Sequence, residues 1–330
     1  MTLNIGTNPY LCGIIIFKKE DFMGTEGIRD RYVNPYTDFG FKLLFGTAMN
    51  KELLISFLNS LLHGREVIKD VTYLNAEHLG TQEYDRKAVF DVYCENEQGE
   101  KFLVEMQKGE QQFFKDRSVF YSTFPIREQA KRGNWDYELK AVYTVGILNF
   151  VFDENDDSYY HHEVKLVDMR SKEVFYDKLT FVYLEMPKFN KGEHELVTMF
   201  DKWLFVLRNL ATLHERPVAL QERVFTRLFE AAEIAKFSKR ELCEYEDSLK
   251  NFRDMYSVIT TAELKGEAKG RAEGLVEGRA KGREEGLVEG RVEGEHNALC
   301  RTASAMKERG LSPDTIADIT GLSLEEIEGL

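Results

Sequence analysis

The sequence predicts an α/β protein, with a mixed central sheet of four to five strands flanked by helices and a helical C-terminal region after it. Three observations predict it. Apolar residues recur at helical spacing over residues 41–61; strand-like runs fill much of residues 71–186; helical periodicity with few breakers returns from about residue 193. At 330 residues the chain is long enough for one sizeable core plus appendages, or for two modest domains.

The elements follow in order. Asn34-Pro35-Tyr36-Thr37-Asp38 reads as a helix entry with Thr37 as the N-cap. Phe41, Leu44 and Phe45, then Leu53, Leu54, Phe57, Leu58 and Leu61, form one apolar stripe, so two helices interrupted near Gly46 are expected. Strands are expected at 71–74, 88–94 and 102–107, the last two joined into a hairpin by the turn signal Asn96-Glu97-Gln98-Gly99. Residues 113–132 read as a helix that Pro125 should kink or divide. Residues 141–152 have the continuous β-rich character of a strand buried on both faces. Further strands are expected at 163–167 and 180–186.

The tail changes character. Between residues 266 and 294 a glycine stands at every fourth position. A four-residue step overshoots the helical turn by about 40°, so the glycine stripe would wind around a straight helix. Each internal glycine costs roughly 1 kcal/mol relative to alanine, and pairs such as Glu267/Arg271 and Glu277/Lys281 return only about 0.3–0.5 kcal/mol each. Alone, such a helix is marginal. Self-association with close backbone approach would stabilise it; otherwise the segment is a flexible tether. Residues 297–308 read as a helix stopped by Gly310, Ser312-Pro313 starts another that Gly321 ends, and Ser323-Leu324-Glu325-Glu326 is a capping box for a last short one. The outline is that of a helix-turn-helix. Its last helix carries Glu325, Glu326 and Glu328, which would repel phosphates, so assembly or contact with the chain's own core is preferred to DNA reading. The expected organisation is a leader over residues 1–24, a core over 25–190, a helical region over 191–262, a glycine-repeat helix or tether over 263–296 and a small helical unit over 297–330. Met23-Gly24 offers an alternative start that would leave residues 1–22 dispensable.

Composition narrows the classes. The four cysteines, Cys12, Cys94, Cys243 and Cys300, lie far apart with no C-x-x-C pair, which fits a reducing compartment better than a zinc site or a disulfide framework. No stretch approaches the ~20 apolar residues of a membrane span. Residues 1–10 lack the basic charge of a signal peptide, so a cytoplasmic protein is expected. A formal net charge of −13 argues against gripping nucleic acid through a broad basic face. It does not exclude a nuclease whose carboxylate pocket is neutralised by a divalent cation.

The chemistry points to the hairpin. In a strand, side chains alternate faces, so Glu105 and Gln107 share one side while Phe102, Val104 and Met106 face a core. Closure of the hairpin brings Asp91 opposite them. An exposed strand face would explain each of the three taken singly. Carboxylates converging on a buried sheet call for a cation or hydrogen bonds, and hard oxygen donors from one Asp and one Glu suit Mg2+ or Mn2+.

The spacing Asp91-x13-Glu105-x-Gln107, on a hairpin followed by a helix, resembles the PD-(D/E)XK nuclease motif, with Gln107 where a lysine is usual. More narrowly, the chain resembles the Rpn family of recombination-promoting nucleases and transposases. The matching segments are Asn34-Pro35-Tyr36-Thr37-Asp38-Phe39-Gly40-Phe41-Lys42-Leu43-Leu44-Phe45-Gly46, Glu105-Met106-Gln107, Arg117-Ser118-Val119-Phe120-Tyr121 and Gly146-Ile147-Leu148-Asn149-Phe150. The resemblance spans roughly residues 32–190 and implies a restriction-endonuclease-like core. It also implies a DNA substrate cut by a Mg2+-activated water. Asp91 and Glu105 would hold the metal, and Asp38 matches a further acidic position that adds a ligand directly or through water. Gln107 cannot supply charge or act as a general base, but its amide can orient water. Arg117 and Tyr121, four apart on one helix face, are candidates to contact phosphate or brace the carboxylates. Gln129 is a weaker one. For Asp38 the rival reading is a helix-dipole acid, for Arg117 a structural ion pair, for Tyr121 packing. His63, His161 and His162 read as solvated loop residues, and Lys42 and Arg86 as surface charges. Two other functions remain open: a binding module of the same fold with weak or lost activity, and a glycosidase using Asp91 and Glu105 as acid and base. The latter lacks the aromatic platforms of sugar sites.

Overall fold

Thr37 opens the first helix as its sequence suggests: its Oγ1 accepts the Gly40 N–H at 3.0 Å, and α1 runs Asp38–Phe45. The computed structural model describes residues 30–62, 67–75, 77–78, 88–130, 136–152 and 159–330. The expected leader, Cys12, His63 and Arg86 lie outside them. After Gly46, α2 (Lys51–Leu61) turns Leu53, Leu54, Phe57, Leu58 and Leu61 inward, the apolar stripe read from the sequence.

The main sheet has six strands. They are β1 (Val71–Tyr73), β4 (Val92–Asn96), β5 (Lys101–Gln107), β6 (Val142–Leu148), β8 (Val174–Glu185) and β7 (His161–Val167), in that spatial order. The expected four to five strands undercount it. A separate pair joins β2 (Glu77–His78) to β3 (Ala88–Val89). The sheet is mixed: β5, β6 and β8 run parallel at its centre, while β1, β4 and β7 pair antiparallel on the flanks. The β4–β5 hairpin turns where expected, with Gly99 at φ +80°, a conformation that glycine enters without a Cβ clash.

Three local expectations are corrected. The run 88–94 is not one strand; it breaks at Phe90-Asp91 and resumes as β4. Pro125 does not divide its helix. Only three residues of α3 (Phe114–Glu128) follow it, so the missing N–H affects the last turn alone. His161 and His162 are not loop residues but lie in β7, opposite Leu184 and Tyr183 of β8.

Strand alternation sorts the core onto two faces. On one, Phe102, Val104, Met106, Tyr143, Val145, Ile147, Val182 and Leu184 pack with α1 and α2. The same core takes in α4 (Met199–Asn209), α5 (Arg223–Ala232) and the start of α6 (Lys239–Glu308). Trp203 is fully buried within it and its indole N–H donates to Ser56 Oγ at 3.1 Å. Two bonds from α6 fix the chain entry: Asn34 N–H donates to Tyr245 Oη and Phe39 N–H to Ser248 Oγ, both at 3.0 Å. The opposite face carries Leu103, Leu148, Phe181 and Tyr183, which pack beneath Phe114 and Phe124 of α3.

The chain divides into two units, Met1–Ser257 and Val258–Leu330. In the second, α6 stays helical through the whole glycine repeat. Ion pairs four residues apart accompany it, Glu267 with Arg271 at 3.1 Å and Arg291 with Glu295 at 2.9 Å; Lys281 faces Glu285 rather than Glu277. The helices α7 (Pro313–Thr320) and α8 (Leu324–Gly329) are capped by Ser312 and Ser323 and bury Ile316, Leu322 and Ile327 against Ala303. Cys94, Cys243 and Cys300 are free thiols. Among the described residues no helix is long and apolar enough to cross a membrane.

Nothing lies within 4 Å of the position a Cβ would take at Gly270, Gly278 or Gly286. Replacing each by Ala should therefore stabilise the helix by about 0.5–1 kcal/mol. Circular-dichroism melts of the intact chain measure this; a lowered melting temperature would mean that these glycines admit a close neighbour in solution.

Candidate active site

A carboxylate in place of a ladder bond organises the site. Beyond Val92, which pairs with Val104, the β4–β5 ladder stops. The Met106 N–H is then taken by the Asp91 side chain, at 2.8 Å to Oδ2. Asp91 is thereby fastened to the residue between Glu105 and Gln107. Those two point to the α3 face and touch: Gln107 Nε2 donates to Glu105 Oε2 at 2.8 Å. Arg117, one turn into α3, donates from Nη2 to the same Oε2 at 3.3 Å. Its guanidinium also bonds Gln111 and lies over the Tyr121 ring, 5.1 Å from the centroid.

Row geometry explains how α3 comes this close. Parallel pairing aligns Glu105, Gly146 and Tyr183 across three strands. A Cβ on Gly146 would stand 3.1 Å from Tyr183 Cδ1. Its absence lets the Tyr183 ring lie across the row, where its hydroxyl donates to Ser118 Oγ at 2.8 Å. Ser118 precedes no charge of its own but follows Arg117 directly, so this buried bond fixes the turn of helix that carries the guanidinium.

The electrostatics are those of acids held partly against their will. Glu105 is buried, which pushes its carboxyl up to about 7; Arg117 opposes that push and Asp91 adds to it. Burial also raises Asp91, the Met106 N–H counteracts it, and the Asp38 charge raises it again. Burial would raise Asp38 too, but Lys108 at 3.3 Å and Lys42 at 3.5 Å outweigh it and hold that acid below its ordinary value. Among the described residues nothing donates to Glu105 Oε1, a buried carboxylate oxygen. An orphaned anionic oxygen beside a second acid is the donor chemistry that a hard divalent cation satisfies. Among the described residues no three acidic, histidine or cysteine side chains gather to hold a metal, so the side-chain donors here are a pair.

The structure thus brings Glu105, Gln107 and Arg117 into direct contact and fixes Asp91 through the neighbouring backbone. Asp38 meets them through charge and through Lys108. Tyr121 contacts the group through Arg117 and packs its ring edge-on to Phe90, 5.3 Å between centroids. Gln129 stands apart, clamping the backbone of Lys140, and Lys42 is Asp38's partner and not a bare surface charge. His162 faces the fully buried Glu185 at 3.6 Å, where Lys188 pairs with the same carboxylate at 2.5 Å. Sequence reading missed Lys108, Ser118 and Tyr183. For Lys108 a signal existed, a cation directly after Glu-x-Gln; for the Tyr183–Ser118 bond, 65 residues apart, none did.

Compared with known families, residues 35–262 match the PD-(D/E)XK nuclease family transposases. The match covers well over half of the chain. The mixed six-stranded sheet and its flanking helices are consistent with the PD-(D/E)XK fold. The chain belongs to the PD-(D/E)XK nuclease family transposases. No curated protein and no solved structure matches it significantly.

A carboxyl whose pKa is raised by folding favours the fold below its ordinary value and loses that contribution as pH rises through the folded one. For Glu105 the window runs from 4.5 to about 7, and the effect is on the order of 3 kcal/mol. Metal-free protein should lose stability across that window in urea titrations, and Glu105→Gln should flatten the loss. Parallel curves for the two proteins would contradict the assignment.

Proposed function

We propose that the chain is a metal-dependent DNA endonuclease of the recombination-promoting type, hydrolysing phosphodiester bonds at the Asp91–Glu105 pair. The observation that carries this reading is the buried, unpartnered Oε1 of Glu105 beside Asp91, in a chain of nuclease family. Asp91 and Glu105 would hold Mg2+ or Mn2+ through their oxygens. When bound, the cation supplies Lewis-acid polarisation of the scissile phosphate and lowers the pKa of the attacking water.

The remaining roles belong to the chain's own groups. Arg117 already carries guanidinium donors to the edge of the site, where they would suit a phosphate oxygen. Tyr121 and the Tyr183–Ser118 bond hold Arg117 in that place. Gln107 keeps Glu105 oriented and offers an amide to position water. Lys108 and Lys42 neutralise Asp38, which limits the acid charge that an approaching phosphate meets. Self-association would fall to the glycine-repeat stretch of α6.

Gln107 also favours a second reading, a DNA- or protein-binding module with weak cleavage, because the amide replaces a charged lysine. One assay separates them. Plasmid incubated with the purified chain and Mg2+ should be nicked or linearised, and chelator should stop this. Asp91→Ala and Glu105→Ala should each lower the rate by two orders of magnitude or more on the order seen for removing a core catalytic group, with the circular-dichroism spectrum unchanged. Binding without cleavage under any divalent ion favours the module.

A further inference from the structure

Side chains hold the end of β5 from both neighbouring strands, and only one of them is a candidate ligand. On the β4 side Asp91 takes the Met106 N–H. On the β6 side Asn149, one residue beyond that strand, meets two successive carbonyls. Its N–H donates to Gln107 C=O at 2.9 Å, and its side-chain Nδ2 donates to Lys108 C=O at 3.3 Å. Successive carbonyls of a regular strand serve opposite neighbours, so the second bond marks where β5 leaves the ladder.

The peptide clamped in this way lies between two groups of the site. Before it, Gln107 points to the α3 face and donates to Glu105 at 2.8 Å. After it, Lys108 reaches Asp38 at 3.3 Å. A rotation of the peptide would move both side chains, and groups that orient a ligand set its affinity for a cation.

Stability alone does not account for asparagine at 149. The residue is 1% exposed, and among the described residues nothing donates to its Oδ1. A buried acceptor without a donor is costly, and an apolar side chain of the same shape removes that cost. The bond to Lys108 C=O is what such a side chain could not supply.

We infer that Asn149 is a positioning residue of the site, acting through the Gln107–Lys108 peptide to keep Gln107 on Glu105 and Lys108 on Asp38. This rests on the nuclease reading above and adds to it a residue that works from outside the acid pair.

The test uses the intact chain carrying Asn149→Leu, with Asn59→Ala as the control for a lost amide–backbone clamp. Asn59 bonds both backbone groups of Ile68 at 2.8 Å, and Ile68 lines a cavity with Phe102 at the other end of β5. Melting temperature, hydrogen exchange over residues 105–109, Mn2+ binding without DNA by electron paramagnetic resonance, and plasmid cleavage are measured. Asn149→Leu should keep or raise the melting temperature. It should nevertheless speed exchange over residues 105–109, weaken Mn2+ binding about ten-fold, and lower kcat with KM for DNA little changed. Asn59→Ala should lower the melting temperature and leave Mn2+ binding as it was. On a Gln107→Ala background the effect of Asn149→Leu on Mn2+ should largely vanish, because one residue acts through the other.

Wild-type exchange and Mn2+ affinity in Asn149→Leu overturn the proposal, as does an equal loss of affinity in Asn59→Ala. An undiminished effect of Asn149→Leu on the Gln107→Ala background overturns the route through Gln107. Faster exchange in Asn149→Leu, with a wild type that neither binds Mn2+ nor cuts DNA, keeps the clamp and removes the nuclease. Metal-dependent cutting that Asn149→Leu leaves intact keeps the nuclease and removes the role of Asn149 in it.

Discussion

The site depends on one substitution of partners: where the sheet would supply a backbone carbonyl to the Met106 N–H, the chain supplies the Asp91 carboxylate. A ladder continued through residue 91 would have fixed that side chain by strand alternation alone. Ending the ladder at Val92 frees the Asp91 backbone to bend and ties its acid to β5 instead. Position is thereby taken from a backbone hydrogen bond, which varies less than side-chain packing. The acid's own solvation is replaced by the same bond.

Burial then sets the chemical character of the pair. Glu105 lies under α3, where removing water from a carboxylate is costly unless charge or donors compensate. Arg117 and Gln107 compensate one oxygen and leave the other bare. The resulting carboxyl is held above its ordinary value, at about 7. Asp38 behaves oppositely because two lysines face it. Two acids of the same neighbourhood are thus held on different sides of their ordinary values by burial in one case and by salt bridges in the other.

Much of this was legible in the sequence, for identifiable reasons. Glu105 and Gln107 had to share a face because strand alternation is geometric, and Thr37, Ser312 and Ser323 declared their helix starts through capping chemistry. The break at Phe90-Asp91 was not legible. An apolar run bears no mark that one of its members will bond across the hairpin through a side chain. The pairing of Lys108 with Asp38 and of Tyr183 with Ser118 joins residues 70 and 65 positions apart, and local pattern does not reach that far. For the glycine repeat, propensity arithmetic left helix and tether open; the structure has one continuous helix, along which i,i+4 ion pairs offset only part of the glycine cost.

The bonds from Tyr245 and Ser248 to the entry of α1 have a bearing on how the protein is made. The hairpin with both acids leaves the ribosome early, yet the segment that anchors Asn34 and Phe39 is synthesised some two hundred residues later. The parallel centre of the sheet adds its own delay, since β5, β6 and β8 join only across long intervening stretches. During translation the entry of α1, which bears Asp38, therefore gains these two bonds only once this part of α6 has been made.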